Sequence, residues 1–138
     1  MPFVLDASVT ASWAFADEGG RDNPSEVSAR ALDHLARDHA VVPSLWWFEL
    51  RNILVVNERR GRIDAAGTAN FLADLDQLPI RIDRTPDSTA IVTLARAHRL
   101  TVYDAAYLEL ARRHGLPLAT LDNQLLAAAL KDGVRPLE

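Results

Sequence analysis

The sequence predicts an α/β fold in which helices cover both faces of a central parallel sheet. Short apolar segments such as residues 3–5 and 40–42 alternate along the chain with longer segments of helical periodicity. Strands that alternate with helices pair in parallel, because each helix crosses over the sheet before the next strand begins. Since the chain has 138 residues and neither an internal repeat nor a linker, we expect a single domain over residues 1–138.

The first half of the chain begins with an apolar segment that is typical of a buried strand. Two glycines and a proline within residues 16–24 indicate a loop, and Gly61 marks the end of a long helix. In order, these patterns predict a strand at residues 3–5, a helix from Asp6 to about Phe15, a loop at residues 16–24, a helix from Ser25, a strand at residues 40–42, and a helix from Pro43 to about Arg60.

The second half alternates in the same way, with aspartates ahead of its helices and glycines at the ends of the last two. In order, these patterns predict a helix from Asp64 to about Gln77, a strand within residues 78–82, a helix from Pro86, a short extended segment at residues 101–103, a helix from Asp104 to Gly115, a strand at residues 116–120, a helix from Asp122 to Gly133, and a short last strand at residues 134–135.

The composition is that of a globular protein, with 49% hydrophobic and 25% charged residues. There are no cysteines, which excludes thiolate catalysis and cysteine-bound zinc and is typical of a reducing cytoplasm. We expect neither a membrane span nor a signal peptide, because the apolar segments are short and Asp6 follows the first one at once. The net charge of −4 argues against binding nucleic acid through bulk charge, but not against an enzyme whose acids hold cations.

Three acids follow predicted strands at the points where helices begin. Asp6 follows the first strand, Asp104 follows residues 101–103, and Asp122 follows residues 116–120. Because the carboxyl ends of parallel strands meet at one edge of a sheet, we expect these carboxylates to share a cleft there. Each of them could instead cap its helix, since an aspartate at this position accepts a hydrogen bond from a free backbone N–H.

A fourth acid, Glu49, lies in a strongly apolar helical segment. Its neighbours one helical turn away include Leu45, Trp46 and Ile53. A carboxylate in such surroundings is costly to desolvate unless a partner or a metal ion neutralises it. The candidate partners are a buried arginine and a metal ion held in the same cleft as the three aspartates.

Four carboxylates in one cleft would repel one another and ionise abnormally unless a cation lay between them. Oxygen ligands without histidine or cysteine select Mg²⁺ or Mn²⁺. Such an ion polarises a phosphodiester and acidifies a bound water, so the pattern predicts metal-dependent phosphoryl transfer, with hydrolysis favoured. Four polar residues near these acids are predicted to orient the carboxylates: Ser8, Asn52, Thr120 and Asn123. For Ser8 and Asn123, hydrogen bonding within a local turn or helix cap is the alternative.

Four segments, in this order, resemble the motifs of the PIN-domain family. They are residues 4–9 (VLDASV), 43–52 (PSLWWFELRN), 100–111 (LTVYDAAYLELA) and 117–122 (PLATLD). The third is the most specific, and together the four span nearly the whole chain. The sequence is therefore similar to PIN-domain ribonucleases, and its small stand-alone form resembles the VapC toxins of type II toxin–antitoxin pairs.

The resemblance implies a three-layer α/β/α sandwich with a central parallel sheet. It implies that Mg²⁺ or Mn²⁺ is held by four catalytic acids, which are Asp6, Glu49, Asp104 and Asp122. It further implies endonucleolytic hydrolysis of RNA by metal-activated water, and a cytoplasmic homodimer bound by a VapB-like antitoxin, with no membrane partner. Asn123 stands where some members carry a further acid, so the number of ions, one or two, is left open.

Other folds that gather acids at strand ends fit the sequence less well. A phospho-receiver domain needs a lysine after a late strand, whereas the one lysine, Lys131, lies in the last predicted helix. A haloacid-dehalogenase-type phosphatase needs an aspartate where this chain has Ser8, and the glycines are too scattered for a P-loop or a dinucleotide fingerprint. Two alternatives keep the PIN fold: a catalytically silent binding module and a structure-specific DNA nuclease.

Overall fold

The computed structural model describes residues 1–15 and 22–138 of the chain. In order, the elements are β1 (Phe3–Leu5), α1 (Ala7–Ser12), a 3₁₀ turn (Trp13–Phe15), α2 (Asp22–Leu35), β2 (Ala40–Pro43), α3 (Leu45–Arg59), α4 (Ala65–Leu75), β3 (Ile80–Asp83), α5 (Ser88–His98), α6 (Val102–His114), β4 (Leu118–Ala119) and α7 (Asn123–Lys131). Within these described ranges, none of the helices has the length and apolarity needed to cross a lipid bilayer.

The four strands form one parallel sheet in the order β3-β2-β1-β4. β1 lies inside the sheet, where Val4 pairs with Val41 on one side and with Leu118 on the other. Every residue of β1 is fully buried, which confirms the predicted α/β/α fold with a central parallel sheet. β1 and β4 are neighbours at their carboxyl ends, where the N–H of Asp6 donates to the carbonyl of Ala119 at 3.0 Å.

Core packing holds the helices that carry the predicted acids. α3 buries Leu50 and Leu54 completely, and α6 buries Leu108 and Leu110 to within 1% of their surface. Side chains in such a core are confined to single rotamers by their neighbours. The backbone beside Glu49 and Asp104 is therefore part of a rigid scaffold rather than of a loop.

The prediction of an extended segment at residues 101–103 is wrong, because Val102 and Tyr103 belong to the first turn of α6. Thr101 caps this helix, and its hydroxyl accepts the backbone N–H of Asp104 at 3.0 Å. Val102 and Tyr103 are 53% and 64% exposed, so their β-branched and aromatic side chains do not mark a buried strand. Asp104 is consequently the third residue of a helix and does not follow a strand.

The bounds of other elements also differ from the prediction, as two cases show. α2 begins at Asp22, ahead of the predicted Ser25, with Pro24 in its first turn, where a missing N–H costs no helical hydrogen bond. The loop predicted at residues 16–24 therefore ends earlier, and residues 16–21 lie outside the described residues. The short strand predicted at residues 134–135 is absent from the described part of the chain, where an isolated parallel bridge joins Leu118 to Pro136 instead.

Arg113 on α6 pairs with a buried acid that the sequence analysis does not single out. Glu109 is 3% exposed and accepts a hydrogen bond from Arg113 Nε at 2.6 Å. Arg113 also donates to Asp83 at the end of β3 at 2.7 Å, and its hydrogen bonds to Asp83 and Glu109 raise the pKa of the guanidinium. An arginine partner, which was considered for Glu49, is therefore found at Glu109, although Arg113 itself is only partly buried.

We expect Arg113→Met to lower the free energy of unfolding by about 3 kcal/mol, because the Glu109 carboxylate would stay buried without its cation. Arg112→Met is the matched control. Arg112 pairs with Asp132 at 3.2 Å through a side chain that is 59% exposed. An exposed pair of this kind contributes about 0–1 kcal/mol. Urea denaturation of both variants measures the difference, and equal losses would show that Glu109 does not depend on Arg113.

Candidate active site

The four predicted acids come from four different parts of the fold and interact electrostatically. Burial raises the pKa of Asp6, and the charge of Asp122 raises it further. Burial also raises the pKa of Glu49, and the charges of Asp6 and Asp104 add to this effect. The pKa of Asp104 is raised in the same way, first by burial and then by Asp122 and Asp6. The structure therefore places Asp6 and Asp104 within electrostatic reach of each other, and places both Glu49 and Asp122 within reach of these two acids.

Asp6 is the most enclosed of these acids, with 7% of its surface exposed. It occupies the N-cap position of α1, where its carboxylate accepts no well-formed capping hydrogen bond, although the backbone N–H of Ser8 lowers its pKa. Its Oδ2 accepts hydrogen bonds from the hydroxyl of Ser8 at 2.8 Å and from the hydroxyl of Thr120 at 2.6 Å. These two hydrogen bonds lower the pKa of Asp6 and favour its ionised form, but burial has the larger effect and the pKa is raised overall.

The two hydroxyls connect Asp6 to the segment that follows β4. Ser8 Oγ accepts the N–H of Leu121 at 3.1 Å, and Thr120 Oγ1 accepts the N–H of Asp122 at 3.0 Å. Because each hydroxyl oxygen accepts a backbone N–H, its own proton is free to point at Asp6. This chain of hydrogen bonds fixes the Asp6 carboxylate relative to the backbone of Asp122.

Glu49 is partly buried and has a partner that the sequence analysis does not identify. The Tyr107 hydroxyl donates to Glu49 Oε1 at 2.6 Å and accepts the N–H of Ala7 at 3.4 Å. Tyr107 is fully buried, and burial, followed by the charges of Asp6 and Glu49, raises its pKa, so that it keeps its proton. Helical spacing is the signal that could have found it, since Tyr107 lies one turn after Asp104 on the same side of α6.

Asp122 caps its helix, whereas Asp104 does not. Asp122 Oδ1 accepts the N–H groups of Gln124 at 2.8 Å and of Leu125 at 3.1 Å, while Oδ2 lies outside these hydrogen bonds. The cap of α6 is Thr101. Capping thus explains the position of Asp122 but explains neither Asp104 nor the enclosed Asp6.

The four residues predicted to orient the acids divide into two pairs. Ser8 and Thr120 both donate hydrogen bonds to Asp6. Asn52 and Asn123 are exposed, and among the described residues neither makes a hydrogen bond to any of the four acids. Asn123 is the first residue of α7, beside the capping residue Asp122. Of these four residues, only Ser8 and Thr120 therefore donate a hydrogen bond to an acid of the site in the described part of the chain.

The donor set of this site suits Mg²⁺ or Mn²⁺. Its side chains offer carboxylate oxygens, and the pKa values of three of them are raised, first by burial and then by neighbouring negative charge that a cation would neutralise. Throughout residues 1–15 and 22–138, no three acidic or imidazole side chains converge closely enough to hold one ion by themselves. The arrangement therefore fits an ion held by one or two carboxylates and several waters, which is the usual coordination of Mg²⁺.

Substitutions at Asp122 separate its capping role from its charge. Asparagine caps helices as well as aspartate does, so we expect Asp122→Asn to keep the stability of the fold and Asp122→Ala to lose about 1 kcal/mol. Mn²⁺ affinity should fall equally in both variants, because both lack the carboxylate charge. Thermal unfolding and Mn²⁺ titration of the two proteins check these expectations. A stability loss of the same size in both would contradict the capping geometry.

The sequence and the fold of this chain are similar to those of known proteins. The sequence model of the PIN domain family matches residues 3–131. Ribonuclease VapC3 of Pyrobaculum aerophilum is 32% identical over 128 residues, which cover 91% of this chain and 92% of that protein. Exonuclease VapC9 of the same organism is 31% identical over 91 residues, which cover 66% of this chain and 68% of that protein.

Among solved structures, the crystal structure of PAE2754 from Pyrobaculum aerophilum is similar to this fold, with a TM-score of 0.71. The two chains are 24% identical, and the match covers 99% of this chain and 92% of that one. At this level of identity the likeness shows a shared fold, in agreement with the parallel sheet and flanking helices described above.

Proposed function

The chain belongs to the PIN-domain family and, within it, to the VapC proteins, and we propose that it is the RNA-cleaving toxin of a type II toxin–antitoxin pair. The proposed activity is that of an endoribonuclease that depends on Mg²⁺ or Mn²⁺. Its proposed catalytic and metal-binding residues are Asp6, Glu49, Asp104 and Asp122. The observation that carries the proposal is the electrostatic coupling of these acids around an enclosed, doubly hydrogen-bonded Asp6.

The reaction proposed for the site is hydrolysis of a phosphodiester by water. A bound divalent cation would supply positive charge to the phosphate and acidify a water molecule. Asp6, which two hydroxyls hold in place, is suited to bind that cation. Glu49 and Asp104 are less enclosed than Asp6, so their carboxylates are suited to hold the cation where a phosphate and a water can reach it.

Incubation of the purified chain with a pool of tRNA and rRNA tests the proposed activity. We expect discrete RNA fragments in the presence of Mg²⁺ or Mn²⁺ and no fragments in the presence of EDTA. The nature of the fragmented RNA would identify the substrate class. Absence of cleavage by folded protein that is free of antitoxin would instead favour a binding module or a DNA nuclease.

Circular substrates separate the alternative nuclease activities. One relative is named a ribonuclease and the other an exonuclease, and both names support nuclease activity in this chain. A circular single-stranded RNA has no ends, so only an endonuclease can linearise it. Shortening of linear RNA with the circle left intact would indicate an exonuclease. A DNA circle of the same sequence tests for DNA cleavage, because metal-assisted hydrolysis does not require the 2′-hydroxyl.

The proposed protein partner is an antitoxin of the VapB type, in the cytoplasm, bound to a homodimer of this chain. The VapC names of the two curated relatives support this assignment. A short reading frame directly upstream would be expected to encode the antitoxin. Co-purification of the two proteins, with loss of RNA cleavage in the complex, is the expected result. Light scattering of the isolated chain measures whether it is a dimer.

A further inference from the structure

Tyr107 links three elements that carry or adjoin acids of the site. Its side chain is fully buried in α6, the helix that also carries Asp104. Its hydroxyl contacts Glu49 of α3 at 2.6 Å and the backbone N–H of Ala7 at 3.4 Å. Ala7 is the residue directly after Asp6. One buried hydroxyl therefore connects the segments of three acids that lie far apart along the chain.

The direction of the two hydrogen bonds at Tyr107 follows from their chemistry. The Ala7 N–H can only donate, so the tyrosine oxygen is the acceptor there and its single proton is directed at Glu49 Oε1. Ala7 opens α1, so its N–H has no partner within the helix and needs one from elsewhere. The 2.6 Å distance is typical of a hydrogen bond to a carboxylate. Oε1 of Glu49 is thereby held, while Oε2 lies outside this bond.

We propose that Tyr107 is a positioning residue, which holds the Glu49 carboxylate so that Oε2 binds the divalent cation of the site. This inference rests on the proposed function and gives Tyr107 no contact with the cation or with RNA. The hydroxyl acts on the cation through Glu49, and its contact with the Ala7 N–H fixes the direction of that hydrogen bond. Partners that orient a metal ligand by such a hydrogen bond typically contribute about 10–100-fold to metal affinity or activity.

Tyr107→Phe tests this role, since it removes the hydroxyl and leaves the buried ring in place. We expect the Mn²⁺ concentration for half-maximal binding to rise about 10–100-fold, as measured by electron paramagnetic resonance of free Mn²⁺. RNA cleavage should fall in parallel at low Mn²⁺ and recover at saturating Mn²⁺. The chain has a second tyrosine, Tyr103, which lies one turn earlier on α6 and is 64% exposed. Tyr103→Phe is the matched control and should leave Mn²⁺ binding unchanged.

A purely structural role for Tyr107 would give a different result. Ile91→Val removes a buried methylene from α5, which carries none of the four acids, and should lower the melting temperature without affecting Mn²⁺ affinity. The same behaviour in Tyr107→Phe would overturn the inference. In a Glu49→Gln background, Tyr107→Phe should cause no further loss of Mn²⁺ affinity, and an undiminished further loss would also overturn it.

Failure of the proposed function gives a separate result, because it concerns the wild type. If wild-type protein neither bound Mn²⁺ nor cleaved RNA, the proposed function would fail and the role of Tyr107 with it. If wild-type protein did both and Tyr107→Phe matched it at every Mn²⁺ concentration, only the role of Tyr107 would fail. If Tyr107→Phe bound Mn²⁺ and cleaved RNA less well than the wild type only at low Mn²⁺, the result would support both the proposed function and the role of Tyr107.

Discussion

Replacement of Asp104 by asparagine is expected to reduce metal-dependent RNA cleavage more than about 100-fold while the chain stays folded. A lost ligand should cost more than the roughly 10–100-fold typical of residues that only orient a ligand. The start of α6 should be unaffected, because Thr101 caps this helix through the N–H of Asp104, which asparagine retains. Initial rates of RNA cleavage at a fixed Mn²⁺ concentration measure the loss. Asp74→Asn, at an exposed position of α4, is the matched control.

Without metal, Asp104→Asn should be more stable than the wild type at neutral pH. Burial, followed by the charges of Asp122 and Asp6, raises the pKa of Asp104 above its value in the unfolded chain. The ionised carboxyl therefore destabilises the folded state at pH values above its folded pKa, and has no such effect below its unfolded pKa. The stability advantage of the variant should thus vanish as the pH falls through the raised pKa of Asp104.

Urea denaturation across that pH range, together with the cleavage rate, decides between two roles for Asp104. Intact cleavage combined with a loss of about 1–2 kcal/mol in unfolding free energy would mean that the carboxylate is structural, as a helix cap is. Lost cleavage combined with unchanged or increased stability would mean that the charge of Asp104 is required for activity and does not stabilise the fold.

Mn²⁺ is expected to raise the melting temperature of the wild type by about 8–10 °C at about 100 times its Kd, where binding contributes about 2.7 kcal/mol. Glu49→Gln should retain less than half of this shift. The amide oxygen can still accept the hydrogen bond from Tyr107, but the amide has no charge to neutralise the cation. Thermal unfolding with and without Mn²⁺ measures both shifts.

The matched control for Glu49 lies at the other end of the same helix. Glu58 lies in the last turn of α3 and accepts a hydrogen bond from Thr68 at 2.7 Å. Glu58→Gln should therefore show the full wild-type shift with Mn²⁺. A shift in Glu49→Gln equal to that of the wild type would remove Glu49 from the metal site.

Most of the fold could be predicted because its buried strands are short and wholly apolar. Residues 3–5 are an example, since a strand covered on both faces has no polar position. Residues 101–103 could not be assigned in this way. Val102 and Tyr103 are of types that are common in strands, yet here they form an exposed helical turn. The hydrogen bond from the N–H of Asp104 to Thr101 decides in favour of the helix.

Glu49 was singled out in the sequence because a carboxylate in a strongly apolar helical segment is unusual, whereas Asp104 was selected as following a strand and lies in the first turn of α6 instead. Helical spacing places Tyr107 one turn after Asp104, but its contact with Glu49 could not be predicted, since it joins residues 58 positions apart. The Glu109–Arg113 pair was open to prediction from its i,i+4 spacing. The sequence pattern alone does not distinguish Glu49, which a tyrosine partners, from Glu109, which an arginine neutralises.

Equilibrium binding of Mn²⁺ to the metal-free protein tests most directly whether the site that contains the four acids binds a divalent cation. The comparison is between the wild type and a variant that combines Asp6→Asn, Glu49→Gln, Asp104→Asn and Asp122→Asn, with circular dichroism to verify that both are folded. We expect saturable binding by the wild type, measured by electron paramagnetic resonance of free Mn²⁺, and no binding by the variant. Equal binding by both proteins, or no binding by the wild type, would contradict the assignment of these carboxylates to a metal-dependent active site.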